Sequence, residues 1–391
     1  MSICLKEFGV ICALGHDKQE VLTALFSDQK QFLSLDSELP IEEPQYVGRV
    51  QLPKNNEAIE QISTNNNKLA YIAYQQIAET LEPLSIKYGQ HRIAVVIGTS
   101  TASIYEGELA REQLTRQGQF PKDFQYEVQE MSAPATYIAK LANAKGPVYG
   151  ISTACSSSGK ALVSAKTLLE NDLADVVIAG GVDSLTQLTT NGFKSLESIS
   201  KNVCQPFQEN RDGINIGEAA ALFIMTKDSD GIQLLGAGET SDAYHISAPS
   251  PDGAGAAKAM AHAIEDAKIN ANQIDYVNLH GTGTIKNDEM EALAMASVCG
   301  KQVFCSSTKH LTGHTLGAAG ALELGLCWLL LSDYNIDRRL PANCRGSDID
   351  EKMPSIKLSQ GEKLAKLQYC LSNSFAFGGN NFSAVIGKIY E

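Results

Sequence analysis

The chain has 391 residues, 43% hydrophobic and 20% charged, an ordinary globular composition long enough for two core-bearing lobes. Its formal net charge of −13 argues against nucleic acid or an anionic membrane surface as the main partner. Nine cysteines, odd in number and without a paired C-x-x-C spacing, fit a reducing, cytoplasmic setting and speak against a structural zinc site.

Residues 1–30 read as a strand over Ile3 to Cys12, a turn through Gly15 and a helix through Val21–Leu25. Lys6 and Glu7 interrupt any signal-peptide core. Residues 30–65 are polar and irregular, with Pro40, Pro44 and Pro53. A helix is predicted over Lys68–Leu81, then a strand over Arg92–Ile97 that ends in Gly98-Thr99-Ser100-Thr101. Lys122–Met131 reads as a polar insertion and Ala133–Ala142 as a further helix.

A strand over Val148 to Ser152 then gives way to Thr153-Ala154-Cys155-Ser156-Ser157-Ser158-Gly159. Apolar residues at Ala161, Leu162, Ala165, Leu168 and Leu169 follow at helical spacing. Cys155 therefore sits between a strand end and a helix start, where unpaired N–H groups and the helix dipole favour a thiolate. An arbitrary cysteine is more often a small buried hydrophobe; the small residues on both sides, which let a carbonyl approach, favour a nucleophile.

Asp175–Gly181 is a β-rich run closed by two glycines, and Ala219–Thr226 is a further strand. Lys227-Asp228-Ser229-Asp230-Gly231 is the clearest break, dividing the chain into halves 1–230 and 231–391. The second half repeats the grammar of the first: strand Ile232–Ala237, helix Ala256–Ala267, and strand Tyr276–Leu279 ending in His280-Gly281-Thr282-Gly283-Thr284. Lys309 and His314 precede Gly317-Ala318-Ala319-Gly320 and an apolar run, Ala321 to Leu331, too short to span a bilayer and containing Glu323. Strands Gln368–Leu371 and Phe382–Ile386 flank Asn373-Ser374-Phe375-Ala376-Phe377-Gly378-Gly379. The alternation predicts a duplicated α/β fold with chemistry at the C-terminal ends of strands.

A lone histidine is more often structural than catalytic. His280, however, ends an apolar strand against a loop whose backbone can approach a ligand. Two histidines without a third ligand make no convincing metal site, and two neutral imidazole N–H groups suit an enolate oxygen instead. Glu323, inside an apolar helix, needs a buried partner, and Lys309 is the natural one. Asp288 and Glu291 are either a helix N-terminal acidic cluster or orient His280 or Lys309.

The segments T-A-C-S-S-S-G, H-G-T-G-T, K-H-L-T-G-H-T-L-G-A-A-G and N-S-F-A-F-G-G-N-N, in this order over nearly the whole chain, resemble the β-ketoacyl-acyl-carrier-protein synthases of the Cys-His-His, elongating type. The resemblance implies a thiolase-like fold of two similar halves in five αβαβα layers. It also implies an acyltransferase without metal or redox cofactor, and a homodimer or heterodimer served by an acyl carrier protein. By the same likeness Cys155 takes the acyl chain as a thioester. His280 and His314 bind the malonyl thioester carbonyl for decarboxylation, with Lys309, Glu323 and Asp288 in support. The N–H groups of Cys155 and Phe377 form the oxyanion hole, Phe375 and Phe377 the gate, and Thr282, Thr284 and Thr101 contact substrate.

Three departures qualify the likeness. Ala376 replaces the gate's glycine and stiffens the loop, Gly98–Ser103 is less glycine-rich than in the family, and Gln205 stands where relatives carry a basic residue. A carrier-docking patch is then expected around Lys68, Lys201 and Arg211, or else a weak one, although Arg211 in Arg-Asp-Gly reads more readily as structural. Thiolases carry a second cysteine in a Cys-x-Gly motif absent here, and initiating synthases pair Cys with His and Asn. The remaining alternative is a non-catalytic, chain-length-factor-like partner subunit, which the complete set of Cys155, His280, His314 and Lys309 disfavours. The altered segments lean toward a specialised, aryl-polyene-like or polyketide route over primary fatty-acid elongation.

Overall fold

The computed structural model describes residues 3–27, 31–39, 43–53, 56–344 and 348–388. Pro40 of the predicted irregular stretch lies outside them. In the first half, strands β1 (Ile3–Ile11), β2 (Ile93–Gly98), β3 (Val148–Ile151), β4 (Val176–Asp183) and β5 (Ala219–Thr226) lie in the order β1-β5-β4-β2-β3. In the second, β6 (Ile232–Ser241), β7 (Tyr276–Asn278), β8 (Phe304–Ser306), β9 (Lys357–Leu358), β10 (Tyr369–Phe375) and β11 (Asn380–Lys388) lie in the order β6-β11-β10-β7-β8-β9. In both halves the first two neighbour pairs are antiparallel and the next two parallel. The duplication predicted from the sequence is thus repeated strand by strand: β1 corresponds to β6, β2 to β7, β3 to β8, β4 to β10 and β5 to β11. The half-sheets join where Ile3 and Cys4 pair with Leu234 and Gln233.

Helices cover the sheets in the layering the family likeness implies. α1 (Lys18–Leu25) follows β1; α2 (Asn65–Tyr88), α3 (Ile104–Gln117) and α4 (Ala133–Leu141) precede β3; α5 (Ser157–Glu170) follows it. α6 (Gln187–Ser195) follows β4, α7 (Ala254–Asp266) follows β6, α8 (Ile285–Val298) follows β7, and α9 (Ala319–Leu331) follows β8. Along β2, alternate residues face opposite ways, as a pleated strand requires. Ile93, Val95 and Ile97 pack with Leu69 and Ile77 of α2 and Ile138 of α4. Ala94 and Val96 face the opposite layer, where Leu162 of α5 and Leu324 of α9 share a core with Tyr276 and Phe382 of the second half. α7 and α8 cover the far side through Met260, Met290 and Met295. Every residue of α9 is buried, which explains its uninterrupted apolar sequence.

The predicted elements recur with shifted ends. The helix placed over Lys68–Leu81 runs to Tyr88, through Pro83, and stops where Gly89 takes φ +81°. Its deeply apolar face outweighs the single bond that proline removes. α3, α6 and the two-residue strand β9 are not among the elements expected from the sequence; α3 and α6 each bury a single residue, Ala110 and Thr190.

Candidate active site

The duplicated topology brings the reactive segments together. Cys155 follows β3, and Lys309 and His314 follow the corresponding strand β8, while His280 follows β7 and Phe375 ends β10. All lie on the C-terminal side of these strands, where parallel strands open a crevice, with His314 reached through a helical turn over Lys309–Thr312. Helix α5 must come very close to the sheet to place Cys155. A Cβ on Gly98 would lie 2.3 Å from the Ser158 nitrogen, and one on Gly159 would lie 2.4 Å from the Phe382 ring. Ala154 is held at φ +53°, a costly conformation for a residue with a side chain, immediately before the cysteine. The hydroxyl of Ser157 closes that turn by donating to the Ala154 carbonyl at 2.5 Å.

The Cys155 sulfur lies 3.0 Å from Nε2 of His314. The His280 and His314 rings meet edge to face, 5.2 Å between centroids. One donor atom each from Cys155, His280 and His314 lies within 4.8 Å of the other two, so one substrate oxygen can meet both imidazoles beside the sulfur. This donor set also suits a soft divalent cation. The buried ammonium of Lys309, 3.4 Å from Nδ1 of His280, opposes a second positive charge there.

That ammonium also fixes a tautomer. It donates to Nδ1 of His280, so the ring proton sits on Nε2 and is available as a donor. Nδ1 of His314 has no hydrogen-bond partner among the described residues, so nothing pins that ring to one tautomer. Burial, followed by the Lys309 charge, holds both histidines well below the usual imidazole range, and they stay neutral.

Burial pushes the Cys155 thiol up to about 11, against the opposite pull of the Lys309 charge and of the backbone N–H groups of Phe377 and Cys155. The expectation that unpaired N–H groups and the helix dipole favour a thiolate is therefore corrected. The helix begins at Ser157, the sulfur is desolvated, and the adjacent base is His314. The N–H groups of Phe377 and Cys155 that counter this rise also suit a nearby oxyanion.

Lys309 and Glu323 form a buried ion pair. Burial still pushes Glu323 up to about 7, with Lys309 pulling it down. The acid that shapes the His280 turn is Glu291, which accepts from the N–H groups of His280 at 2.7 Å and Gly281 at 2.6 Å and from Asn373 at 3.2 Å. Asp288 contacts neither His280 nor Lys309. It accepts from the N–H groups of Phe207 at 2.8 Å and Gly283 at 3.2 Å and pairs with buried Arg211. The supporting role expected of Asp288 is thus structural. Arg211 also pairs with Asp350 and is only 5% exposed, so it leaves the expected docking patch. Lys201 is exposed and Lys68 half-buried.

A cavity of about 420 Å³ opens onto Cys155, His280 and His314, and Phe375, Phe377, Thr282 and Thr284 line it. Thr101 does not. It is fully buried, with its hydroxyl and N–H both donated to Asp183, which corrects its assignment as a substrate contact. Phe377 packs 5.4 Å from Phe193 of α6, a lining residue absent from the sequence-based expectations. Gly378 and Gly379, both at positive φ, carry the turn after Phe377. The turn is tied to a neighbouring loop by Gly378 N–H to the Ile246 carbonyl at 2.8 Å and by Asn381 to Asp242 at 2.7 Å.

Residues 8–231 match the β-ketoacyl synthase N-terminal domain family and 232–342 the β-ketoacyl synthase C-terminal domain family. The chain is 32% identical over 317 residues to a 3-oxoacyl-[acyl-carrier-protein] synthase 2 of Staphylococcus aureus, covering 76% of this chain and 75% of that protein. It is 34% identical over 264 residues to nodulation protein E of Rhizobium leguminosarum bv. trifolii, where the match spans 64% of each. In structure it is similar to a chain of a ketosynthase in complex with its chain length factor from Xenorhabdus doucetiae, with TM-score 0.92 and 40% identity over 99% of this chain and 98% of that one.

Proposed function

Because this chain belongs to the β-ketoacyl synthase family, we propose that it condenses a malonyl group with an acyl group held on Cys155, both delivered by acyl carrier protein. It is a condensing acyltransferase with a thiolase-like fold. The observation that carries the reading is the convergence of Cys155, His280 and His314 beside an open cavity.

The geometry accounts for each step. The Cys155 thiol passes its proton to Nε2 of His314 as sulfur attacks the acyl thioester carbonyl. The oxyanion is met by the N–H groups of Cys155 and Phe377, and the carrier thiol departs with the proton from His314. The malonyl thioester oxygen then accepts from Nε2 of His280 and of His314. Carbon dioxide leaves, the electron pair enters the resulting enolate, and its carbon attacks the acyl-Cys155 carbonyl. The carbon–sulfur bond breaks, Cys155 leaves as a thiolate, and it takes up from solvent the one proton that the decarboxylative condensation consumes. His314 must accept in one half-reaction and donate in the other, and its unpinned ring permits both.

The service is a specialised elongation route, and the working form pairs this chain with a chain-length-factor-like subunit. The resemblance to a chain of such a complex supports this. Thr282 and Thr284 contact the carrier's pantetheine arm, Lys201 contributes to carrier docking, and Phe377 gates entry. A non-catalytic partner role is disfavoured because the catalytic groups are present and in contact. The unpaired, buried cysteines support a cytoplasmic location, and no helix among the described residues is long and apolar enough to cross a membrane. Carbon dioxide release from malonyl-carrier and condensation with a panel of acyl-carriers, together with the solution mass of the purified chain, test the reading. An active homodimer that prefers saturated chains would overturn the heterodimeric, specialised assignment.

A further inference from the structure

We propose that Asp183 is a positioning residue that sets the spacing between Cys155 and His314. The inference rests on reading Cys155 as the nucleophile. Asp183 ends β4, is wholly buried, and spends both carboxylate oxygens on two loops that flank the reacting pair. On one side it accepts from Thr99 Oγ at 2.6 Å, Ser100 N–H at 2.9 Å, and Thr101 N–H and Oγ, each at 2.8 Å. On the other it accepts from Gly317 N–H at 2.6 Å, three residues after His314. Burial pushes Asp183 up from the ordinary carboxylate value, and its partners, every one a donor, pull the other way toward the carboxylate form.

The first loop reaches the nucleophile directly. Ser100, whose N–H is held by Asp183, donates its hydroxyl to the carbonyl of Ala154 at 3.3 Å. Ala154 is the residue at positive φ that turns Cys155 into the cavity. The second loop carries His314, whose backbone is fixed on its other flank by N–H donation to the Asn215 carbonyl at 2.7 Å. The fit around Gly317 is close: a Cβ there would lie 2.8 Å from Asp183 Oδ2, Ser100 N and Ser100 Oγ. One carboxylate thus clasps the strand-end loop behind Cys155 to the loop behind His314, from the two halves of the duplicated fold. Thr99 and Thr101, which occupy the segment where the family's glycines are expected, supply the hydroxyls that saturate it.

The test is a double-mutant cycle on Cys155 reactivity. Alkylation of Cys155 by iodoacetamide, followed by peptide mass spectrometry, needs no acyl donor and reads the cysteine even if the condensing function fails. Asp183→Asn turns an amide N–H₂ toward N–H donors and is expected to slow Cys155 alkylation at pH 7 by about ten-fold or more. In acyl transfer it should lower kcat by a similar factor, with KM within about two-fold. In the His314→Ala background the same substitution should change alkylation less than two-fold. Ser100→Ala, which keeps Asp183 and its backbone bonds, is the milder variant and should slow alkylation in the same direction without lowering Tm. The proposal is overturned if folded Asp183→Asn alkylates at the wild-type rate, or if its effect is equally large without His314. It is also overturned if Asp183→Asn does not fold and Ser100→Ala alkylates as wild type.

Discussion

Nε2 of His314 stands 3.0 Å from the sulfur of Cys155, although 159 positions separate the two residues. His280 is close to His314 but makes no hydrogen bond to that sulfur, and this asymmetry divides the labour between the histidines. His280→Ala should leave Cys155 acylation largely intact and lower malonyl decarboxylation roughly 10²–10³-fold, the usual cost of one preorganised donor. His314→Ala should lower both. Separate assays of acyl-enzyme formation and carbon dioxide release check this; equal loss of both reactions in His280→Ala would contradict it.

The neutrality of the two imidazoles sets a pH dependence. Burial and Lys309 hold both below the ordinary imidazole value of 6.5, so the acid limb of decarboxylation should lie below pH 6.5. For stability the sign follows from proton binding. As pH falls below 6.5 the unfolded chain takes up protons that folded His280 and His314 refuse, so stability is lost in that direction. Against a His280→Asn/His314→Asn double variant, the wild-type stability advantage should shrink from pH 7 to pH 5 in urea titrations.

Lys309→Met leaves Glu323 buried without its cation. The expected loss is about 3–5 kcal/mol of unfolding free energy at pH 8. Glu323 is already pushed up to about 7, so at pH 5 it is protonated and the loss should be smaller. Urea unfolding at the two pH values measures the difference, and a pH-independent loss would show that packing, not charge, dominates.

The sequence made the centre of this site readable for a physical reason. Cys155, His280 and His314 each break an apolar or small-residue pattern at a strand end, and Glu323 breaks an apolar helix. Residues acting through backbone N–H groups leave no such mark. Glu291 looks like any helix acid, yet it holds the His280–Gly281 turn. Asp183 lies just past the glycine pair where the predicted β-run stops. Thr101 misleads in the opposite sense. A threonine in a strand-end loop reads as a substrate contact until the buried carboxylate opposite it is seen, whereas the structural reading of Arg211 holds. The strand-by-strand duplication was legible because each half repeats the same punctuation, whereas α3 and α6 are short on buried residues, with one each, Ala110 and Thr190.

Ala376 sits in the gate segment at φ −101°, an ordinary conformation that leaves glycine no steric advantage. Ala376→Gly should therefore cost about 0.5–1 kcal/mol of stability through unfolded-state entropy. If loop opening limits turnover it should also raise kcat. Denaturant titration and steady-state rates on the same variant separate the two effects.

The central claim is that Cys155 carries the acyl chain. Intact-protein mass spectrometry after incubation with a panel of acyl-carrier thioesters, on wild type and on Cys155→Ala, tests it most directly. An acyl mass gain on wild type, absent from Cys155→Ala, is the predicted result. No gain from any donor, with no carbon dioxide released from malonyl-carrier, would contradict the account and return the chain to the role of a partner subunit.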